Sequence, residues 1–527
     1  MGIGRAAINM IHKTRRKELF ILISCLLLGF SLRFYTFDHK SLWIDEIYTF
    51  NNSRDGIEGQ LKFYKENPTY HHPPLFFVLT HLFYPFPKPE RDLRVIPLIF
   101  GTLSIPMIYF LSRLFSHNIA LPCTLSLTLM AYHISLSQDG RSYSLIMFLG
   151  MIGLYFFIKH LQTLKKVYLF LTAVLFAILF YTSYSSFLFI VLSQILWFYR
   201  ANVGNTKPFF SSFLILNGLI FFLCIPWILF IALNYKGHPI MDPFHTETLG
   251  SFWSIMYGVL HDWVPHAPLI IVSGILLILF PFVSKFKKNA FVLLVILVLP
   301  IGGLYLLVKL LNITPFVVNS RYFINFLPLF FISIYLSLNT IEGRFEMLKR
   351  FIRLKLLFVI LFIASNLTIL PLYYRSEKQD FRGLVSYLEG QLQGGDKIFV
   401  GSIAYIPGIL HYFKVYPESR HYNYPVWWDD SRKEVVAKVS LVGPNKKITI
   451  HYSYSCCTQY MSNGNRVWIV VGKPAMKELK ENSPCVLRGV FDGSFSNFRR
   501  FPSDASMYLF LWDPKSSDEK GIDLPIE

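Results

Sequence analysis

Four short stretches of this chain carry side chains that could do chemistry. "SLWIDEIYTF" (41–50) sets Asp45 and Glu46 side by side, between Trp43 and Tyr48. "YHHPPL" (70–75) places His71 and His72 ahead of two prolines that stop any helix. "SQDGRSYSL" (137–145) offers Asp139, Arg141 and Tyr143, and "NSRYF" (319–323) offers Arg321 and Tyr322. Adjacent carboxylates repel, which lifts one of them towards the range where it can accept a proton. A guanidinium is a planar two-pronged donor suited to an anion. Asp45, Glu46, His71 and His72 could also ligate a divalent cation. Their spacing matches no tight site, and neighbouring histidines on a regular element point apart, so no metal is assigned.

The elements that must position these residues are membrane helices. Of 527 residues 53% are hydrophobic and only 16% charged, with 51 phenylalanines. Repeated apolar runs of about 18 residues or more read as transmembrane helices. We expect eleven, near 18–36, 95–113, 117–134, 142–160, 167–182, 184–200, 209–231, 267–284, 290–310, 322–339 and 353–374. No cleavable signal is evident after the first run. The apolar stretch 73–86 is too short before Pro85 and Pro87 to span and suits a re-entrant or interfacial helix.

Charge sets the orientation. The chain carries a net +19, but from residue 375 onward 20 basic and 17 acidic residues give only +3. The excess sits in short loops of the membrane half, "HKTRRK", "SRLFSHN", "KHLQTLKK", "YRANVGNTK", "SKFKKN" and "EGRFEMLKRFIRLK". With 73–86 left out, all of these fall on one side, as the positive-inside rule requires. That pattern accounts for the charge with membrane lipids as neighbours and without nucleic acid. The N-terminus is then cytoplasmic in a multi-pass plasma (inner) membrane protein, and all four chemical stretches face outward. A charge at a helix end can instead snorkel to the interface, and Tyr or Trp there can be belt material. Asp45, Asp139 and Arg141 arriving at one face from distant loops favours function.

The chain divides at 1–374, a membrane domain with a large first outer loop (37–94), and 375–527, a tail of different character. "QDFRGLVSYLEGQL" and "PAMKELKENS" read as helices, and "DKIFVG", "KKITIHY", "RVWIVVG", "CVLRGVF" and "SMYLFLWD" as strands. This is a small extracytoplasmic α/β domain, without a glycine-rich phosphate loop or nucleophile elbow, and reads as a lid or acceptor-docking module. Cys25, Cys123 and Cys224 lie in apolar runs as packing residues. Cys456, Cys457 and Cys485 lack zinc spacing, though Cys485 could join a disulfide in an extracytoplasmic tail.

Taken in order, "LWIDEIYT", "HPPL", "LRVIPLIFGTLSIPMIYFLSRLF", "SQDGRSYSL" and "RYFINFLP" make the chain resemble the GT-C class of membrane glycosyltransferases. The nearest likeness is to the bacterial branch similar to protein O-mannosyltransferases, aminoarabinose transferases and lipopolysaccharide-core glycosyltransferases. "DFRGLVSYL…GGDKIFV" resembles that branch's C-terminal module. Ser183 stands where many relatives carry histidine. The resemblance implies a GT-C-like fold and a polyprenyl-phosphate sugar donor presented from the outer leaflet, where no nucleotide pool exists. It implies transfer with inversion to an extracytoplasmic lipid, glycan or protein acceptor. Asp45 then maps to the general base. Arg141, Arg321 and His72 would face the phosphate, Asp139 matches a second acidic position, and Glu46 would position Asp45 or bind a sugar hydroxyl. Tyr143 and Tyr322 complete the substrate-binding set. No cofactor is implied beyond a candidate divalent cation. A transporter or flippase, or a polymerase or ligase for lipid-linked glycans, remains the alternative reading.

Overall fold

A computed structural model describes residues 2–66, 72–199, 207–235, 252–310, 320–345, 353–414, 426–429, 434–442, 447–453, 464–497, 500–504, 506–515 and 521–522. His71, Cys456 and Cys457, with 236–251 and 311–319, lie outside the described residues.

The apolar runs fold as helices wherever the sequence places one. They are α1 (Gly2–Phe34), then three short helices of the first loop, α2 (Ile44–Ser53), α3 (Ile57–Glu66) and α4 (Leu75–His81), and the single turn α5 (Pro89–Asp92). There follow α6 (Val95–Arg113), α7 (His117–Thr128), α8 (Ala131–Ser137), α9 (Tyr143–Thr163), α10 (Lys166–Phe180) and α11 (Ser185–Ser193). The membrane half closes with α12 (Lys207–Asn234), α13 (Phe252–Trp263), α14 (Ala267–Val283), α15 (Lys287–Leu310), α16 (Leu327–Arg344) and α17 (Leu354–Arg375). A helix therefore stands at each of the eleven expected positions. By length and composition six of the described helices can cross a membrane, or up to eight if each bent pair is one span, while α10 and the apolar helix 185–198 are shorter. Segment 73–86 forms only the seven-residue α4.

The two bends have local causes. Between α7 and α8 the chain turns by 62°. There the buried Arg33 guanidinium donates to the carbonyls of Leu127 (3.0 Å) and Thr128 (3.2 Å), satisfying groups that a continuous helix would have bonded itself. Between α13 and α14 it turns by 103°, at Pro265, His266 with φ +72°, and Pro268. Helix α13 lies between the spans that the apolar runs predict at 209–231 and 267–284.

The tail adds α18 (Phe381–Gln391), α19 (Tyr405–Tyr412) and α20 (Lys473–Asn482) around a seven-stranded sheet. Its strands are β1 (Lys397–Val400), β2 (Val426–Asp429), β3 (Glu434–Val442), β4 (Lys447–Ser453), β5 (Val467–Val471), β6 (Val486–Phe491) and β9 (Met507–Trp512), in the order β2-β3-β4-β1-β5-β9-β6. β1 runs parallel to β4 and β5, and the remaining pairings are antiparallel. A separate hairpin joins β7 (Ser494–Asn497) to β8 (Arg500–Asp504). β5 and β9 are apolar at nearly every position because both sheet faces are covered. One face packs on α20 through Met476.

The other face packs on α18 and α19, and the first loop completes it. Leu42, Ile47, Phe50, Phe86 and Leu93 belong to the same core as Leu384, Ile406, Trp468 and Leu509. Fully burying a side chain of this size is worth about 1.5–3 kcal/mol. The tail and the loop that carries Asp45 are therefore one hydrophobic body.

Candidate active site

Helix α2 presents the two carboxylates in its first turn, where they complement the helix dipole. Successive residues on a helix point about 100° apart, so the pair cannot share an environment. Glu46 turns inward and is fully buried. Its oxygens accept Arg94 Nε at 2.7 Å and Arg94 Nη2 at 2.6 Å, a two-pronged buried pair. They also accept the Gly140 N–H (2.7 Å) and the Trp43 N–H (3.3 Å). A Cβ at Gly140 would come within 3.1 Å of Leu93 and 3.2–3.3 Å of the Glu46 side chain, so a larger residue would require both to shift by a few tenths of an ångström. Burial pushes the Glu46 carboxyl up, but Arg94 and Lys378 beside it and its hydrogen bonds hold it down at about 2. Arg94 spends its remaining donors on the carbonyls of Phe37, Lys40 and Ser41. Glu46 was expected to position Asp45 or to bind a sugar hydroxyl, and here both its oxygens are engaged by protein donors.

Asp45 turns the other way and keeps 22% of its side chain exposed. Arg321 Nη1 lies 3.2 Å from its Oδ2. The Arg321 guanidinium sits among three aromatic rings, 5.3 Å from Trp43, 5.5 Å from Tyr143 and 5.9 Å from Tyr322, an arrangement that attracts a cation to ring faces. Arg141 Nη1 donates to the Asp45 carbonyl (3.2 Å) and to Thr49 Oγ1 (3.3 Å). A chain of hydroxyls anchors the turn of Arg321: Tyr132 and Ser320 are 2.6 Å apart, and Ser320 donates to the Asp262 carboxylate.

Asp139 is buried beneath this pair. Its Oδ1 accepts Trp43 Nε1 at 2.9 Å and lies 3.4 Å from Lys378 Nζ. Burial pushes its carboxyl up, and Lys378 acts against that.

These contacts join seven of the eight expected residues, Asp45, Glu46, Asp139, Arg141, Tyr143, Arg321 and Tyr322, although they come from three regions of the chain. For His72 the described ring contact is edge-on to Phe77, at 6.2 Å. Among the described residues no three His, Cys, Asp or Glu side chains gather as a metal site.

Sequence reasoning passed over Arg94 and Lys378. Arg94 begins the second apolar run as Arg321 begins the tenth, and that shared position was the available signal. Lys378 lies just past α17 and carried no signal separating it from a membrane-flanking lysine.

No protein-family model and no curated protein matches the chain. Among solved structures it is similar to ArnT from Cupriavidus metallidurans in the apo state, with a TM-score of 0.50 at 10% identity, over 95% of this chain and 98% of that one. A second structure of ArnT from that organism, bound to undecaprenyl phosphate, aligns at a TM-score of 0.45 and 11% identity over 94% and 97%. At this identity the likeness to apo ArnT is one of fold. In architecture, from α1 through the sheet of the tail, the chain has the GT-C membrane fold.

Proposed function

We propose that the chain is an integral-membrane glycosyltransferase that moves one sugar from a polyprenyl phosphate to an extracytoplasmic acceptor, with inversion. The observation that carries this reading is the Asp45–Arg321 pair, a partly exposed carboxylate against an aromatic-caged guanidinium, in a GT-C fold. In this reading Asp45 takes the proton from the acceptor's nucleophile as that atom bonds to the anomeric carbon. The bond from that carbon to the phosphate oxygen breaks, and the carrier departs as its phosphate. Arg321 and Arg141 counter the charge on the departing phosphate, and His72 is the third candidate for that charge. Tyr143 and Tyr322 hold Arg321 and offer ring faces to the sugar. Glu46 and Arg94 hold Asp45 in place.

The test is direct. Detergent-solubilised protein is incubated with undecaprenyl phosphate bearing labelled glucose, mannose or aminoarabinose, together with an envelope extract as acceptor source. Free carrier phosphate should appear with at least one donor. A transporter or flippase would release none without a membrane. Mass spectrometry of envelope glycans from cells with and without the gene then identifies the acceptor.

A further inference from the structure

The tail reaches into the site it covers. Lys378 lies three residues beyond the end of α17, and only 5% of its side chain is exposed. Its ammonium stands 3.2 Å from Glu46 Oε1 and 3.4 Å from Asp139 Oδ1, and it donates to the Gln138 carbonyl at 2.9 Å. Its neighbours clip the same stretch of loop. Glu377 Oε2 accepts the Ser41 N–H at 2.7 Å, and Gln379 Oε1 accepts the Ile44 N–H at 3.1 Å. Residues 377–379 thus run alongside 41–46.

The contacts continue from Lys378 to the exposed carboxylate in three steps. Lys378 faces Asp139, Asp139 accepts the Trp43 indole N–H, and the Trp43 ring lies under the Arg321 guanidinium that pairs with Asp45. We propose that Lys378 is a positioning residue for sugar transfer: bridging Glu46 and Asp139, it holds Trp43, and through it the Arg321–Asp45 pair, in register. The tail is on this view part of the active site rather than a cover for it. The proposal rests on the glycosyltransferase reading.

Physics favours a large effect from a small change. Removing one partner from a buried ionic group leaves the other charge uncompensated, which costs more than the pair itself contributes. Without Lys378, the Asp139 carboxyl that burial already pushes up would take a proton nearer neutrality and loosen its hold on Trp43. Asp45, Glu46, Lys40, Arg94, Arg321 and the Tyr373 phenol are the other charged and titratable groups around this point.

The experiment uses the full chain carrying Lys378→Met, which keeps the length and removes the charge, with Lys378→Arg beside it. Release of carrier phosphate is followed against pH, together with amide hydrogen exchange. Lys378→Met should lower kcat at least tenfold with less than a threefold change in donor KM, and should move the acid limb of the pH profile upward. Exchange across 41–50 should quicken while β5 and β9 keep their protection, and Lys378→Arg should recover part of kcat. A kcat and pH profile within twofold of wild type would overturn the proposal. So would a loss of activity accompanied by lost protection in β5 and β9, which would mark a merely structural residue. If the wild-type chain releases no carrier phosphate, the glycosyltransferase reading fails by itself, and exchange across 41–50 still decides whether Lys378 holds the loop.

Discussion

Asp45 and Glu46 are consecutive, yet one carboxylate is locked into a two-pronged pair with buried Arg94 and the other stays partly open beside Arg321. Two neighbouring acids thus have separate surroundings, set by a single step along a helix.

Replacing Asp45 with Asn removes the proton acceptor while keeping shape. Turnover should fall by roughly 10²–10⁴-fold, the usual span for a general base, with melting in detergent unchanged. Carrier-phosphate release measures the first and tryptophan fluorescence on heating the second. Wild-type turnover in this variant would take the base assignment away from Asp45.

Glu46→Gln should behave in the opposite sense, as a stability lesion. Breaking a buried pair by removing one partner costs about 3–5 kcal/mol, so both Glu46→Gln and Arg94→Met should lower the melting temperature sharply. The double variant should lose less than the sum of the two, because it strands no charge. Strict additivity would mean that the two residues do not act as a unit.

Arg321→Lys keeps the charge but loses the planar fork and the fit to three rings. Binding of undecaprenyl phosphate should weaken by about tenfold, roughly 1.4 kcal/mol. Equal affinity in a titration would remove Arg321 from the phosphate site.

Acid should act first on the seam between the tail and α2. His411 packs edge-on to Phe50 at 4.7 Å, and burial, with Arg54 nearby, brings its imidazole down from 6.5 to about 4. Between those values the unfolded chain holds a proton that the folded chain refuses, so stability falls as pH drops from about 6.5 towards 4. Glu46, held down at about 2 from 4.5, contributes its share of stability until pH falls below about 4.5. Melting temperatures from pH 7 to pH 5 should therefore decline, and His411→Phe should flatten that decline. An equal slope in the variant would exclude His411 as its source.

The membrane half was legible because each apolar run declares itself, and the orienting charges are local. The same held for β1, β5 and β9, whose apolar residues are contiguous, for β4, which alternates, and for β6, whose apolar pairs flank Arg488 and Gly489. β3, "EVVAKVSLV", mixes Glu434 and Lys438 into its run and gave no clear period. α2 and α3 escaped notice because their cores are supplied by the tail and by Trp227 rather than by their own sequence. Within the site, residue types and helix-end positions drew attention to seven members of the network. The partners of Glu46 were not legible, since Arg94 lies 48 positions away and Lys378 lies 332 positions away.

That last separation has a consequence for biosynthesis. Ser41 and Glu377, whose contact helps close the loop around Asp45, are 336 positions apart. At ribosomal speeds of about 5–20 residues per second, the first half of the clasp waits on the order of tens of seconds for the second. A chain still being made carries Asp45 on an unfinished surface, and only synthesis past α19 gives that loop its partner. Nascent or prematurely stopped chains therefore lack the contacts that close the loop around Asp45.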